Sequence, residues 1–485
     1  MTFTTLTFIL YLPIVFGLYW SFKRQSARNL VMLLASYVFY AWWDYRFCVL
    51  MLATNLIDYG VARALARVEE PKARWRLLLI SLVSNLSVLG FFKYYNFFVE
   101  SVAAAAGSVG WIIDPFTLNI ILPAGISFYT FQAMSYTIDV YRRQLDPSRN
   151  VIDHLSYVSF FPTLVAGPIE RGTALLPQLA SSRTFDYRNA VTGLRLIGWG
   201  FFKKLVIADQ LAIIVESSYS APDVARGPLL AFATICFAFQ IYCDFSAYSD
   251  IARGTAWLFG VDVIRNFNYP YFSQNLAEFW RRWHISLSTW FRDYVYVPLG
   301  GNRVGRVRRA VNLLITFLVS GIWHGAAWNF VVWGALHGAT IALGTLRAKP
   351  APTPAIPGGE DNIPSLATAL RMLRTFAIVC LFWVFFRAES VREALGILKL
   401  VAVDAFRPRA YLPLLDTVTD DGLRMAAMVM VGVFVAVEWL IRDREHPFVV
   451  DRMPIVLRYA TYTACLWMTL ALTARRTGQF IYFQF

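Results

Sequence analysis

Glu278-Phe279-Trp280-Arg281-Arg282-Trp283-His284-Ile285-Ser286-Leu287-Ser288 opens the stretch whose reading decides the fold. It continues through a basic segment, Arg303 to Arg309, into an apolar run that ends at Ser320-Gly321-Ile322-Trp323-His324-Gly325. Residues 278–338 hold three of the five histidines: His284, His324 and His337. An imidazole within an apolar run is costly unless it is hydrogen-bonded or used. Short basic segments that alternate with long apolar runs are the pattern of helices threaded through a bilayer.

The same alternation fills the chain. Hydrophobic residues make up 57% and charged residues only 16%, against about 25% charged in soluble domains. Apolar runs recur from residue 5 to residue 473, which predicts one polytopic membrane domain over residues 1–485. The net charge of +14 sits in short loops, where cytoplasmic lysine and arginine face anionic lipid headgroups. That placement names membrane lipids as partners and excludes nucleic acid. The five cysteines are odd in number, lie in apolar surroundings and form no CxxC pair. They read as small buried hydrophobes, with neither a disulfide nor a metal site. Leu6 to Trp20 has no basic segment before it and no small-residue cleavage site, so it reads as a first span.

Spans are expected at 3–22, 29–43, 47–62, 77–98 and 117–138, with cytoplasmic cations at Lys23, Arg24, Arg63, Arg142 and Arg143. Charge parity puts the N-terminus outside. Residues 155–168 are short and marked by Pro162 and Pro168, which predicts a re-entrant or bundle-hugging segment. A long helix is expected over 188–217, interrupted by Lys203-Lys204, and a strong span over 228–247. Residues 276–294 place Leu276, Trp280, Trp283, His284, Leu287, Phe291 and Tyr294 on one face, which predicts an amphipathic helix. Runs at 310–323 and 326–346 follow, with His324 near their join. Five prolines mark 347–365 as a flexible linker. Helices are expected at 368–386, 390–403, 425–441 and 455–473. Parity leaves the C-terminus outside, and the total is about ten to twelve spans.

Five residues or groups stand out for chemistry. His324, flanked by Gly321 and Gly325, reads either as a packed histidine or as a general base for an attacking hydroxyl. The flanking glycines would let a substrate approach the backbone. His284 lies on an apolar face beside Trp280 and Trp283, and His337 reads as helix packing. His154 and His446 are assigned to the interface. The C-terminal Phe480-Ile481-Tyr482-Phe483-Gln484-Phe485 carries four aromatics, where chain ends are usually polar. No HExxH, GxSxG, P-loop or GxGxxG element occurs, so metalloprotease, serine hydrolase, NTPase and dinucleotide readings lack support.

Several stretches together carry a family resemblance: Leu122 to Arg142, Ala166-Gly167-Pro168-Ile169, Gln240 to Asp250, Asn266-Phe267-Asn268-Tyr269-Pro270-Tyr271, Phe279 to Gly301, and Gly321 to Gly325. They resemble the membrane-bound O-acyltransferases, in the bacterial branch that serves alginate O-acetylation. The resemblance implies an all-α ring of tilted helices around a tunnel, with a catalytic core over 1–345 and further helices over 366–474. His324 matches the family's catalytic histidine and His284 its second signature position. The implied donor is cytoplasmic acetyl-CoA, as substrate, with no bound cofactor. A periplasmic SGNH-type acetyltransferase would then pass acetyl to a polysaccharide, from a bacterial inner-membrane enzyme. Residues 480–485 look like the FxYxxF acyl-transfer motif, with Tyr482 as acyl carrier; a phenolate leaves more readily than an alkoxide.

The expectation is thus a membrane O-acyltransferase moving a short acyl group outward. His324, His284 and Tyr482 are its catalytic candidates; Arg281, Arg282, Trp283, Asn329 and Asp244 are its candidates for substrate binding. The alternatives are a glycan or acyl transporter or flippase without acyl transfer, and a D-alanyl or long-chain acyltransferase.

Overall fold

The computed structural model describes residues 1–347, 363–419, 422–442, 453–473 and 480–481. The described residues are helical with irregular connections and contain no strand. Among the described residues, six helices are long and apolar enough to cross a membrane: Arg46–Leu65, Pro71–Ser108, Pro222–Leu258, Trp328–Leu346, Leu366–Arg387 and Ile455–Leu472. Leu6–Ser21 and Met428–Ile441 are shorter apolar helices. The expected all-α, multi-pass membrane fold is what forms. The linker expected at 347–365 lies, except for its ends, outside the described residues, as does His446.

The chain makes two compact units, Met1–Ile197 with Ile251–Ile264, and Gly198–Asp250 with Arg265–Phe485. The first holds α1 (Leu6–Ser21), α2 (Gln25–Asp44), α3 (Arg46–Leu65), α4 (Pro71–Leu89), α5 (Tyr95–Ser108), α6 (Ile126–Tyr141), α7 (Val151–Val158), α8 (Gly172–Ala180) and most of α9 (Tyr187–Phe202). Local chemistry sets its boundaries. The Thr5 hydroxyl caps α1, the Asn150 carboxamide caps α7, and Pro71 starts α4 where its missing N–H is not needed. Polar groups buried between helices are paired. Asp58 accepts from Ser81 at 2.5 Å and from Asn85 at 2.9 Å. The segment after α7 is not a span: residues 160–170 are turns and irregular backbone, buried throughout. Irregular backbone in such a place has to be covered by protein. His154, assigned to the interface from sequence, is fully buried instead, with Nε2 3.1 Å from the Asn55 carbonyl.

The second unit holds α10 (Asp209–Tyr219), most of α11 (Pro222–Leu258), α12 (Leu276–Arg282), α13 (Ile285–Phe291), α14 (Arg306–His324), α15 (Trp328–Arg347), α16 (Leu366–Arg387), α17 (Val391–Asp404), α18 (Leu412–Thr419), α19 (Gly422–Ile441) and α20 (Ile455–Thr473). Its centre is the α14–α15 hairpin. Gly321 on α14 and Gly325 just past its end, and Gly334 and Gly338 on α15, are spaced four apart, the small-residue spacing that lets helix backbones touch. A methyl on Gly321 would strike the Phe330 carbonyl, and one on Gly334 the Phe317 carbonyl. Beside Gly325 the space is taken by the Phe330 ring. Gly321 and Gly325 therefore admit the neighbouring helix, rather than a substrate as the sequence reading had it.

Gly334→Ala is expected to destabilise the protein by about 1–3 kcal/mol, because a backbone carbonyl cannot swing aside as a side chain does. Gly344→Ala, on the same helix with nothing within 4 Å of its added methyl, is expected to be neutral or stabilising. Thermal unfolding of both variants in detergent checks the contrast.

Candidate active site

His324 is the last residue of α14, and Gly325 leaves the helix in an extended conformation. The imidazole Nδ1 lies 2.6 Å from the Ser320 carbonyl, one turn back. A carbonyl only accepts, so Nδ1 carries the hydrogen and Nε2 is the basic nitrogen. The ring is 4% exposed and is walled by Trp323, Trp333 and Phe386, with centroids at 5.0, 4.7 and 5.7 Å.

His284 arrives differently. The single amphipathic helix expected over 276–294 is broken into α12 and α13, because His284 takes a left-handed conformation, φ 44° and ψ 58°. For a non-glycine residue this costs on the order of 1 kcal/mol. The neighbouring loop holds it in place. The Asn266 carbonyl accepts from Ile285 N–H at 2.9 Å and its Oδ1 from Ser286 N–H at 3.2 Å, while Asn268 N–H donates to the Arg282 carbonyl at 2.9 Å. The break turns the His284 ring onto Phe245, edge-on at 4.6 Å, and toward Trp323 at 6.0 Å. Trp323 thus lies against both imidazoles. Burial, reinforced by the neighbouring His324, holds the His284 imidazole well below its usual range, so it is neutral at pH 7.

The third histidine completes an aromatic chain. His337 Nδ1 accepts from the Trp280 indole at 3.1 Å, and its ring lies 5.0 Å from Trp333, which also flanks His324. The helix-packing reading accounts for it.

A cavity of about 560 Å³ adjoins this chain, with Trp280, Arg281, Ser288, Arg292, Arg309 and Ser320 on its wall. That volume suits a small-molecule ligand. The cavity reaches Ser320, whose carbonyl holds the His324 ring, and Trp280, whose indole holds His337.

The other sequence candidates separate. Arg281 is exposed and lines the cavity, whereas Arg282 is bound to Glu278 at 2.9 Å and to the Asn268 carbonyl at 3.3 Å. Trp283 is core, stacked on Phe279 at 5.4 Å and tilted against Trp383 at 5.1 Å. Asn329 donates to the Phe385 and Ala388 carbonyls at 3.3 and 2.7 Å, and so caps the end of α16. Asp244 belongs to a buried ion cluster with Lys204. Tyr482 lies outside the described residues. Reasoning from sequence missed Ser320, Arg292 and Arg309. Ser320 stands one helical turn before His324, which is a readable signal; the two arginines look like ordinary interface cations until the chain folds. Among the described residues no group of His, Cys, Asp or Glu is placed to hold a metal ion.

Residues 143–346 match the membrane-bound O-acyltransferase family, and the matched segment contains both His284 and His324. The chain is 41% identical to the protein named "Probable alginate O-acetylase AlgI" of Pseudomonas syringae, over 81% of this chain and 74% of that one. It is 32% identical to the "Peptidoglycan O-acetyltransferase" of Helicobacter pylori, over 99% of this chain and 97% of that one. A "Teichoic acid D-alanyltransferase" of Bacillus subtilis matches over 45% of this chain at 30% identity. The chain belongs to the membrane-bound O-acyltransferase family. It is a multi-pass membrane enzyme that transfers acyl groups to oxygen, which sets aside a transporter or flippase without acyl transfer.

Asn329→Ala is expected to lower stability by about 1–3 kcal/mol, because two buried carbonyls lose their donor. Thermal unfolding measures it, and a shift of less than 1 °C would remove the capping role.

Proposed function

We propose that the chain takes acetyl from acetyl-CoA at the cytoplasmic side of the bacterial inner membrane and supplies it for O-acetylation of an extracytoplasmic polysaccharide. The observation that carries this reading is the His324 ring, its tautomer set by Ser320, one residue behind the wall of an arginine-bearing cavity. The names of the alginate and peptidoglycan relatives support acetyl as the group moved and a polysaccharide as its destination. A short acyl group also suits the tightly walled ring better than a long chain does.

In this mechanism His324 Nε2 takes the proton of the attacking hydroxyl as its oxygen bonds to the thioester carbonyl carbon. The tetrahedral intermediate collapses, the carbon–sulfur bond breaks, and the proton returns to the coenzyme A thiolate. The products are an O-acetyl ester and free thiol. His284, neutral and held by its strained backbone, orients the donor carbonyl through its neighbouring position across Trp323. Arg281, Arg292 and Arg309 offer guanidinium groups to the donor's phosphates. Tyr482 is the first acceptor: its phenol carries acetyl on the outer side, where the N- and C-termini lie by charge parity. A periplasmic SGNH-type acetyltransferase then moves acetyl to the polysaccharide. D-alanyl transfer has support from a relative that aligns with less than half of the chain.

His324→Ala is expected to fold and to lose about 10²–10⁴-fold in coenzyme A release from acetyl-CoA by the purified protein. A folded His324→Ala protein with undiminished release would refute the assignment. Arg309→Gln is expected to raise the KM for acetyl-CoA about ten-fold with kcat little changed, because one guanidinium–phosphate contact is lost. Arg282→Gln is expected to lower thermal stability and leave that KM alone. Steady-state kinetics with both variants separates the two arginines.

A further inference from the structure

Lys203 and Lys204 form part of a π-helical segment, Lys203–Ala208, and are 3% and 2% exposed. Lys203 bonds Asp250 and Ser246, each at 2.7 Å. Lys204 bonds Asp209 at 2.8 Å and Asp244 at 2.5 Å. Two adjacent buried ammonium groups are costly, and a helix that needed only bulk there would use apolar residues. Nothing in the acyl-transfer chemistry above employs them.

The second oxygen of Asp244 shows what the cluster faces. Asp244 Oδ2 accepts from the backbone N–H of Ile481 at 2.5 Å. Next to it, the Phe480 ring lies over Lys204 Nζ at 4.6 Å and edge-on to Tyr248 at 5.0 Å. Phe480 and Ile481 are 2% and 4% exposed, although they stand within six residues of the chain end. Three independent contacts converge on two tail residues: a charge-assisted hydrogen bond, a cation–π contact and an aromatic edge. An aromatic belt at a membrane surface would bring neither a carboxylate to a backbone amide nor a lysine to a ring face.

We infer that Lys204, Asp209 and Asp244 form a docking cradle for the C-terminal segment of this chain, with Asp244 as the residue that positions it. Lys204 binds one oxygen of Asp244 and turns the other toward Ile481, and it presents its charge to Phe480. Asp209 balances Lys204 from the far side. The cradle recognises a short segment by one backbone N–H and one aromatic ring. It therefore accepts a tail of this composition without reading most of its side chains. Its consequence for catalysis rests on the proposed role of Tyr482, which follows Ile481 directly; the docking itself does not.

The test uses the full-length protein with Ile481→Pro, which removes the N–H donor and leaves every cradle residue in place. Ile481→Val is the conservative control, and Phe480→Leu removes the ring alone. Tryptic release of the C-terminal peptide after Arg475 or Arg476, a site that none of these substitutions alters, followed by mass spectrometry, reads docking. Acetyl transfer, resolved into kcat and donor KM, reads its consequence. Ile481→Pro is expected to release the tail at least about ten-fold faster than wild type and to lower kcat about ten-fold or more at unchanged donor KM. Phe480→Leu should fall in between, and Ile481→Val should match wild type. Unchanged tail release in both Ile481→Pro and Phe480→Leu would overturn the cradle; faster release with full kcat would overturn its positioning role. His324→Ala keeps the two readings apart. It should be inactive with a protected tail, and if it stays active the acyl-transfer reading falls while the release data still decide the cradle.

Discussion

Two helix backbones in direct contact set the geometry of the second unit. Gly321 and Gly334 leave room for the carbonyls of Phe330 and Phe317, and no other residue does so without pushing the helices apart. Because α14 and α15 close on each other there, Trp333 reaches His324 and His337 at once. The closure also fixes the last turn of α14, and with it the Ser320 carbonyl that chooses which imidazole nitrogen is basic. Close helix packing thus selects a tautomer, through one hydrogen bond.

Charge in an apolar bundle obeys a strict rule: it is paired or it is absent. The second unit keeps its buried ions in separate groups. Lys203 pairs with Asp250, and Lys204 with Asp209 and Asp244. Glu278 is satisfied by Arg282. The exposed Arg281 is left to the cavity wall. Adjacent arginines at 281 and 282 therefore serve different ends, because α12 turns one toward Glu278 and the other outward.

Much of this was legible from residues alone. Hydropathy and basic loops gave the helical membrane fold, since the bilayer permits so few alternatives. The apolar runs at 310–323 and 326–346 anticipated α14 and α15 to within four residues at either end. The family signature drew attention to His284 and His324 as a pair. What sequence could not supply was the break at His284. A regular 3.6-residue period runs through residues 276–294, and only the hydrogen bonds from Asn266 and Asn268, distant in the chain, make the left-handed turn stable. Nor could spacing separate Arg281 from Arg282, or show that the glycines beside His324 serve Phe330. These depend on partners that tertiary packing brings together.

The left-handed backbone at His284 places two kinds of selection in opposition. Glycine would adopt that conformation with less strain, yet it has no ring to present toward Trp323. Evolution for robustness alone would drift toward glycine there, and evolution for catalysis would hold histidine in place. A screen that rewards only thermal tolerance is thus liable to discard this imidazole, and the survivors would be sturdier proteins with a missing tool.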